Sequence, residues 1–122
     1  MLHFESYEFD SPDQIGSGDK MDATFLQMLD DARGIAGIPF KITSGYRTKE
    51  HNIEIYKRLG KKPIDSAHLK VKAADISCSS SRERWIIITA LQDAGFNRIG
   101  IANNFIHVDS DENKSPNVIW TY

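Results

Sequence analysis

Apolar residues recur three or four apart between residues 21 and 36, at Met21, Phe25, Met28, Leu29, Ala32 and Ile35, and Gly37 and Pro39 close the run. The spacing predicts a core-facing helix over about 21–36. Phe40-Lys41-Ile42-Thr43 alternates apolar with polar and predicts a short strand leading into Ser44-Gly45-Tyr46-Arg47. A second helix is expected over about 48–59, with Thr48 near its N-cap and Gly60 at its end. Residues 60–72 read as a loop, and Ala73-Ala74-Asp75-Ile76-Ser77, small and apolar around one carboxylate, as a buried strand. Ser80 with Glu83 three positions later forms a capping box, opening a third helix through Trp85, Ile86, Ile88, Thr89 and Leu91 that stops before Gly95. Arg98–Ile101, Phe105–Asp109 and Val118–Tyr122 read as antiparallel strands, the first two joined by a turn at Ala102-Asn103-Asn104. Ahead of all this, Ser11-Pro12-Asp13 and Gly16-Ser17-Gly18 make residues 1–18 turn-rich. The order is that of an α+β fold: one domain over 1–122, with a small antiparallel sheet packed against helices.

Composition narrows the function classes. A chain of 122 residues suffices for one domain with a real core and is too short for two. No stretch approaches the roughly 18 consecutive apolar residues of a membrane span, so no membrane partner is expected. Met1-Leu2-His3-Phe4-Glu5-Ser6 lacks the basic-then-apolar order of a secretory signal, which predicts synthesis in the cytoplasm without a leader. The lone cysteine, Cys78, excludes an intramolecular disulfide and the two-Cys and four-Cys structural zinc patterns, so any metal must be held by nitrogen and oxygen. A net charge of -2 argues against a general nucleic-acid binder. The charge is uneven: acidic residues crowd the first third, while Lys57, Arg58, Lys61, Lys62, Lys70 and Lys72 gather in and before the 60–72 loop. Either these form a solvated surface, or they form a basic rim that attracts an anionic polymer such as a cell-wall glycan bearing peptide carboxylates.

The candidate chemistry lies in Ser66-Ala67-His68, in Asp75 seven residues after that histidine, and in Phe105-Ile106-His107-Val108-Asp109. Two histidines and an aspartate among small or apolar residues are what a catalytic zinc site requires: three protein ligands and a fourth position open to water. The competing reading is a polar core network, in which His68 and Asp75 form a hydrogen-bonded pair and His107 is a satisfied core histidine. Arg47 follows a strand and a Gly-containing turn, so its guanidinium fork is either aimed into a cleft, at a carboxylate or a developing oxyanion, or spent on a surface salt bridge.

Ser44-Gly45-Tyr46-Arg47, Ser66-Ala67-His68, Ala73-Ala74-Asp75-Ile76, Gly95-Phe96-Asn97-Arg98-Ile99-Gly100-Ile101 and Phe105-Ile106-His107-Val108-Asp109 stand in the order seen in the M15 zinc peptidases, the D-alanyl-D-alanine carboxypeptidase family. The chain resembles that family from about residue 8 to Trp120, and Glu8-Phe9-Asp10-Ser11-Pro12-Asp13 is similar to its short branch found in bacteriophages and prophages. The resemblance implies an M15/hedgehog-like α+β domain with its zinc site at the sheet, one zinc ion per chain, and cleavage of the peptidoglycan stem peptide or cross-link, as a carboxypeptidase or an endolysin-type endopeptidase. A monomer is expected. Carried over by position, His68, Asp75 and His107 match the metal ligands, Arg47 the active-site arginine, and Ser66 the serine two before the first ligand.

Two positions depart from the family pattern. Val71 stands where glycine is usual, which predicts that the backbone there avoids the left-handed region. Asn104 stands where many relatives carry the general base, and an amide cannot accept a proton at neutral pH. Asp109 shares a strand face with His107 and is therefore the nearest replacement, with Glu50 and His51 as weaker ones. An equal alternative for Asp109 is to fix a ligand or Arg47 by a charge-assisted hydrogen bond. If no base exists, the chain is a catalytically weak wall-binding or virion structural module that keeps the fold.

Overall fold

Asp22 accepts a hydrogen bond from the Phe25 backbone N–H (2.9 Å) and so sets the start of α1 (Ala23–Ala36), whose left-handed C-cap is Gly37. The structure is a computed structural model describing residues 1–62 and 71–122; Ser66 and His68 lie outside the described residues. The remaining elements are β1 (Ile42–Ser44), α2 (Lys49–Arg58, capped by Thr48), β2 (Ala73–Ser77), α3 (Ser81–Asp93), β3 (Arg98–Ile101), β4 (Phe105–Asp109) and β5 (Val118–Thr121). Two short 3-10 turns, Ser6–Phe9 and Ser17–Lys20, precede α1. Ser80 caps α3 as expected, accepting from the Glu83 N–H. The Glu83 carboxylate reaches the hydroxyls of Ser79 and Ser80 rather than a backbone N–H.

The five strands form one sheet in the order β1-β2-β4-β3-β5. All pairs are antiparallel except β3 with β5, which is parallel, so the expectation of a wholly antiparallel sheet is corrected. The reason is positional. Both edges of β4 are taken, by β2 and β3, and the chain leaves β4 at the end where β3 begins. A strand added to the free edge of β3 from there runs the same way as β3.

Alternation along the strands sends Ala74, Ile76, Ile99, Ile106 and Val108 to one face, where they meet Phe25 and Leu29 of α1, Ile87 and Leu91 of α3, and Phe96. Within α1 the apolar stripe is buried through Phe25, Leu29 and Ala32, whereas Ile35 is 53% exposed. Phe9, fully buried, brings the turn-rich start into the same core. The opposite face of the sheet therefore carries the polar strand residues.

Val71 departs from expectation. Its φ is +66°, inside the left-handed region that a β-branched side chain normally avoids. Its carbonyl accepts the Asp22 N–H (3.0 Å) at the start of α1, and its side chain packs partly against the core. These contacts hold valine in a conformation that costs about 1–2 kcal/mol.

Candidate active site

The sheet register builds the site. Ser44 pairs with Asp75, Asp75 with His107, His107 with Gly100, and Gly100 with Trp120, so these five residues form one row across the sheet. Paired residues share a face, and the row lies on the face turned away from α1 and α3. Ser44 joins it through an irregularity. Ile42 pairs with Ile76, and an unbroken ladder would set Ser44 against Ala74 on the core side. A bulge between Ile42 and Ser44 places it beside Asp75 instead.

His107 is the centre of a chain of contacts. Its Nδ1 lies 2.9 Å from Asp75 Oδ1 and its Nε2 lies 2.7 Å from Asp109 Oδ2. The other Asp109 oxygen, Oδ1, accepts from Arg98 Nε (2.6 Å) and from the Asp111 backbone N–H (3.1 Å). Arg98 also donates through Nη1 to the Ser115 carbonyl, and its guanidinium lies 5.0 Å from the centre of the Trp120 ring. Trp120 in turn sits 5.6 Å from the His107 ring. Gly100 makes that approach possible, because a Cβ there would fall 2.7 Å from the indole. Arg47 reaches the other side of Asp75: its Nη2 is 4.0 Å from Oδ2, and its Nε donates to Ser44 Oγ (3.4 Å). At 17% side-chain exposure it belongs to the site rather than to the solvated surface.

Charge follows from these contacts. Burial pushes the Asp109 carboxyl up, but hydrogen bonds from His107, Arg98 and the Asp111 backbone outweigh it and hold the pKa at about 2. Burial pushes His107 down, and its bonds to Asp109 and Asp75 with their negative charges reverse that, leaving its pKa raised. The Tyr122 hydroxyl is pushed up, first by desolvation and then by the field of Asp75 and Asp109.

A depressed carboxyl pKa stabilises the fold above the unfolded value near 4 and loses that stabilisation as pH falls through the folded value near 2. Asp109 is 2% exposed, so its shift corresponds to about 2 kcal/mol. Asp109→Asn is therefore expected to reduce stability most at pH 5, and the gap from wild type should close between pH 4 and pH 2. Denaturant melts of metal-free protein at pH 5, 3 and 2 measure it; a gap constant across that range would contradict the assignment.

Of the residues singled out by sequence, Arg47, Asp75, His107 and Asp109 come together. Glu50 and His51 lie in the first turn of α2, where the His51 backbone N–H bonds to the Thr48 hydroxyl. Asn104 is exposed at the β3–β4 turn, with its carbonyl accepting from Cys78 N–H. Sequence reasoning overlooked Arg98, Trp120 and Tyr122. The short turn between β3 and β4 held a usable signal for Arg98, since the hairpin register that sets Ile101 against Ile106 sets Arg98 beside Asp109.

Asp75 and His107 suit a divalent metal chemically: a carboxylate oxygen and an imidazole nitrogen lie side by side, and His107 Nε2 already faces a second carboxylate, the outer partner that metal-bound histidines usually have. Asp109 is not a third ligand for the same ion, because it sits on the far side of the ring. Among the described residues no group of three or more His, Cys, Asp or Glu side chains is placed to hold a metal.

The α+β domain thus sets carboxylates, an imidazole and arginines together on the face of its sheet opposite the core. A sequence profile described as Peptidase M15 matches residues 7–109, from the first 3-10 turn to the end of β4, and the chain belongs to the M15 peptidase family. No curated protein matches it. No helix among the described residues is long and apolar enough to cross a membrane.

Proposed function

We propose that the chain is a zinc-dependent peptidase that hydrolyses peptide bonds in the stem peptide or cross-link of bacterial peptidoglycan. The observation that carries this reading is the Asp75–His107 pair, flanked by Arg47 on one side and Asp109 on the other, within a chain of the M15 family. His68, Asp75 and His107 would hold the metal, which when bound supplies a Lewis acid for the scissile carbonyl and lowers the pKa of water.

The protein's own groups divide the remaining work. Arg47, anchored by Ser44 and Asp75, presents its guanidinium to a substrate carboxylate or to the oxyanion of the tetrahedral intermediate. Ser66 would bind a substrate amide. For Asp109 the surroundings favour one of its two expected roles. A general base works best with a pKa near the operating pH, whereas this carboxyl is held at about 2, is 2% exposed and is already bonded by three donors. Its role is to orient the His107 imidazole rather than to take a proton from water.

Digestion of purified peptidoglycan and of short stem peptides by zinc-loaded protein, followed by mass spectrometry, tests the reading and identifies the bond. New peptide termini are expected, and they distinguish carboxypeptidase from endopeptidase. Binding to sacculi without any new terminus would replace the enzyme with a wall-binding module.

A further inference from the structure

Arg98 is buried, at 8% exposure, and satisfies three different partners at once. It donates to Asp109 Oδ1 and to the carbonyl of Ser115, and its guanidinium lies against Trp120. Asp109 Oδ1, shared between Arg98 and the Asp111 N–H, is thereby fully engaged, and Oδ2 is the oxygen left to meet His107 Nε2. A carboxylate has no donor to offer, so Nε2 donates to Asp109 and Nδ1, facing Asp75 Oδ1, donates there in turn; a metal ion at Nδ1 would displace the second proton and leave the first. Trp120 closes the flank of the imidazole across Gly100.

We propose that Arg98 is a positioning residue: through Asp109 it fixes the orientation of His107 and makes Nε2 a hydrogen-bond donor, and it couples the ring to Trp120 of β5 and to the 110–117 segment. The proposal rests on the peptidase reading for its meaning in catalysis, but the orientation itself is a property of the protein alone. Lysine cannot replace arginine here, because a single ammonium does not bond a carboxylate and a carbonyl in the fixed directions of a planar fork held over an indole.

The test uses the full chain with zinc alone as ligand. Zinc affinity is measured by competition with a chromogenic chelator for wild type, Arg98→Lys, Arg98→Met, Arg98→Gln, Asp109→Asn and the double variant Arg98→Gln with Asp109→Asn. Nitrogen NMR of the zinc-loaded protein reads the His107 tautomer, and proton NMR of the metal-free protein reads contacts between the His107 and Trp120 rings. Arg98→Met is expected to weaken zinc binding roughly 10–100-fold, the usual effect of losing an outer partner of a metal-bound histidine, with Arg98→Lys in between. The ring contacts should fade in both. Because Arg98 acts through Asp109, the double variant should lose no more affinity than Asp109→Asn alone. Since the double variant removes both buried charges, it stays informative if Arg98→Met, which strands Asp109 unpaired, does not fold.

Unchanged ring contacts in folded Arg98→Lys, or additive losses in the double variant, would overturn the proposal. Absence of zinc binding in wild type would instead overturn the peptidase reading, and the metal-free ring contacts would still decide the role of Arg98.

Discussion

Asp75→Ala is expected to eliminate both tight zinc binding and hydrolysis, with a loss well beyond the roughly 10–100-fold of an outer-shell partner. The size of the effect follows from the two oxygens of Asp75, each of which faces a different functional group. Oδ1 meets His107 Nδ1 and Oδ2 faces Arg47, so one truncation removes a proposed ligand and the anchor of the substrate-facing guanidinium together. Asp75→Asn, which keeps the shape and gives up the charge, should lose zinc while keeping the fold. Zinc per chain by elemental analysis, peptide hydrolysis and thermal melting separate these effects. Stoichiometric zinc in a folded Asp75→Ala protein would remove Asp75 from the ligand set.

Gly45→Ala should produce the second large effect, this time on stability. A Cβ at Gly45 would lie 2.6 Å from Phe9 Cα and 2.8 Å from the Phe9 carbonyl oxygen, which are backbone atoms that cannot rotate aside. The adjacent hydrogen bond from Tyr46 N–H to that carbonyl (2.8 Å) would open as the first 3-10 turn is pushed outward. Overpacking of this kind costs about 1–3 kcal/mol. Because Arg47 lies two residues on, KM for a peptide with a free C-terminus should rise along with the fall in Tm. A wild-type melting temperature in Gly45→Ala would show that the Phe9 turn is not pinned there.

The glycine in Ser44-Gly45-Tyr46-Arg47 was thus visible in the sequence, but its reason was not. A close approach between residues 9 and 45 is a contact over long separation that no local pattern encodes. The helices were legible because their signals are local: the apolar stripe at Phe25, Leu29 and Ala32, and the caps at Thr48 and Ser80. The strands carrying the site were legible too, since a period of two puts His107 and Asp109 on one face whatever the neighbours are. Pairing order was not, and with it went the parallel seating of β5, the contact between Trp120 and His107, and the bulge that brings Ser44 to Asp75. Val71 misled for a related reason. A residue type states what backbone it prefers, while its carbonyl bond to Asp22 and its packing decided what it adopts.

The missing Cβ at Gly100 has an optical consequence. It lets the Trp120 indole rest against the imidazole of His107, while the other tryptophan, Trp85, is 69% exposed on α3. An indole's emission responds to the charge carried by a neighbouring ring, and the two rings are 5.6 Å apart between centres, so the fluorescence of Trp120 should report the state of His107. With Trp85 replaced by phenylalanine, the protein becomes its own single-tryptophan sensor of occupancy at the site, readable by stopped flow without an added dye.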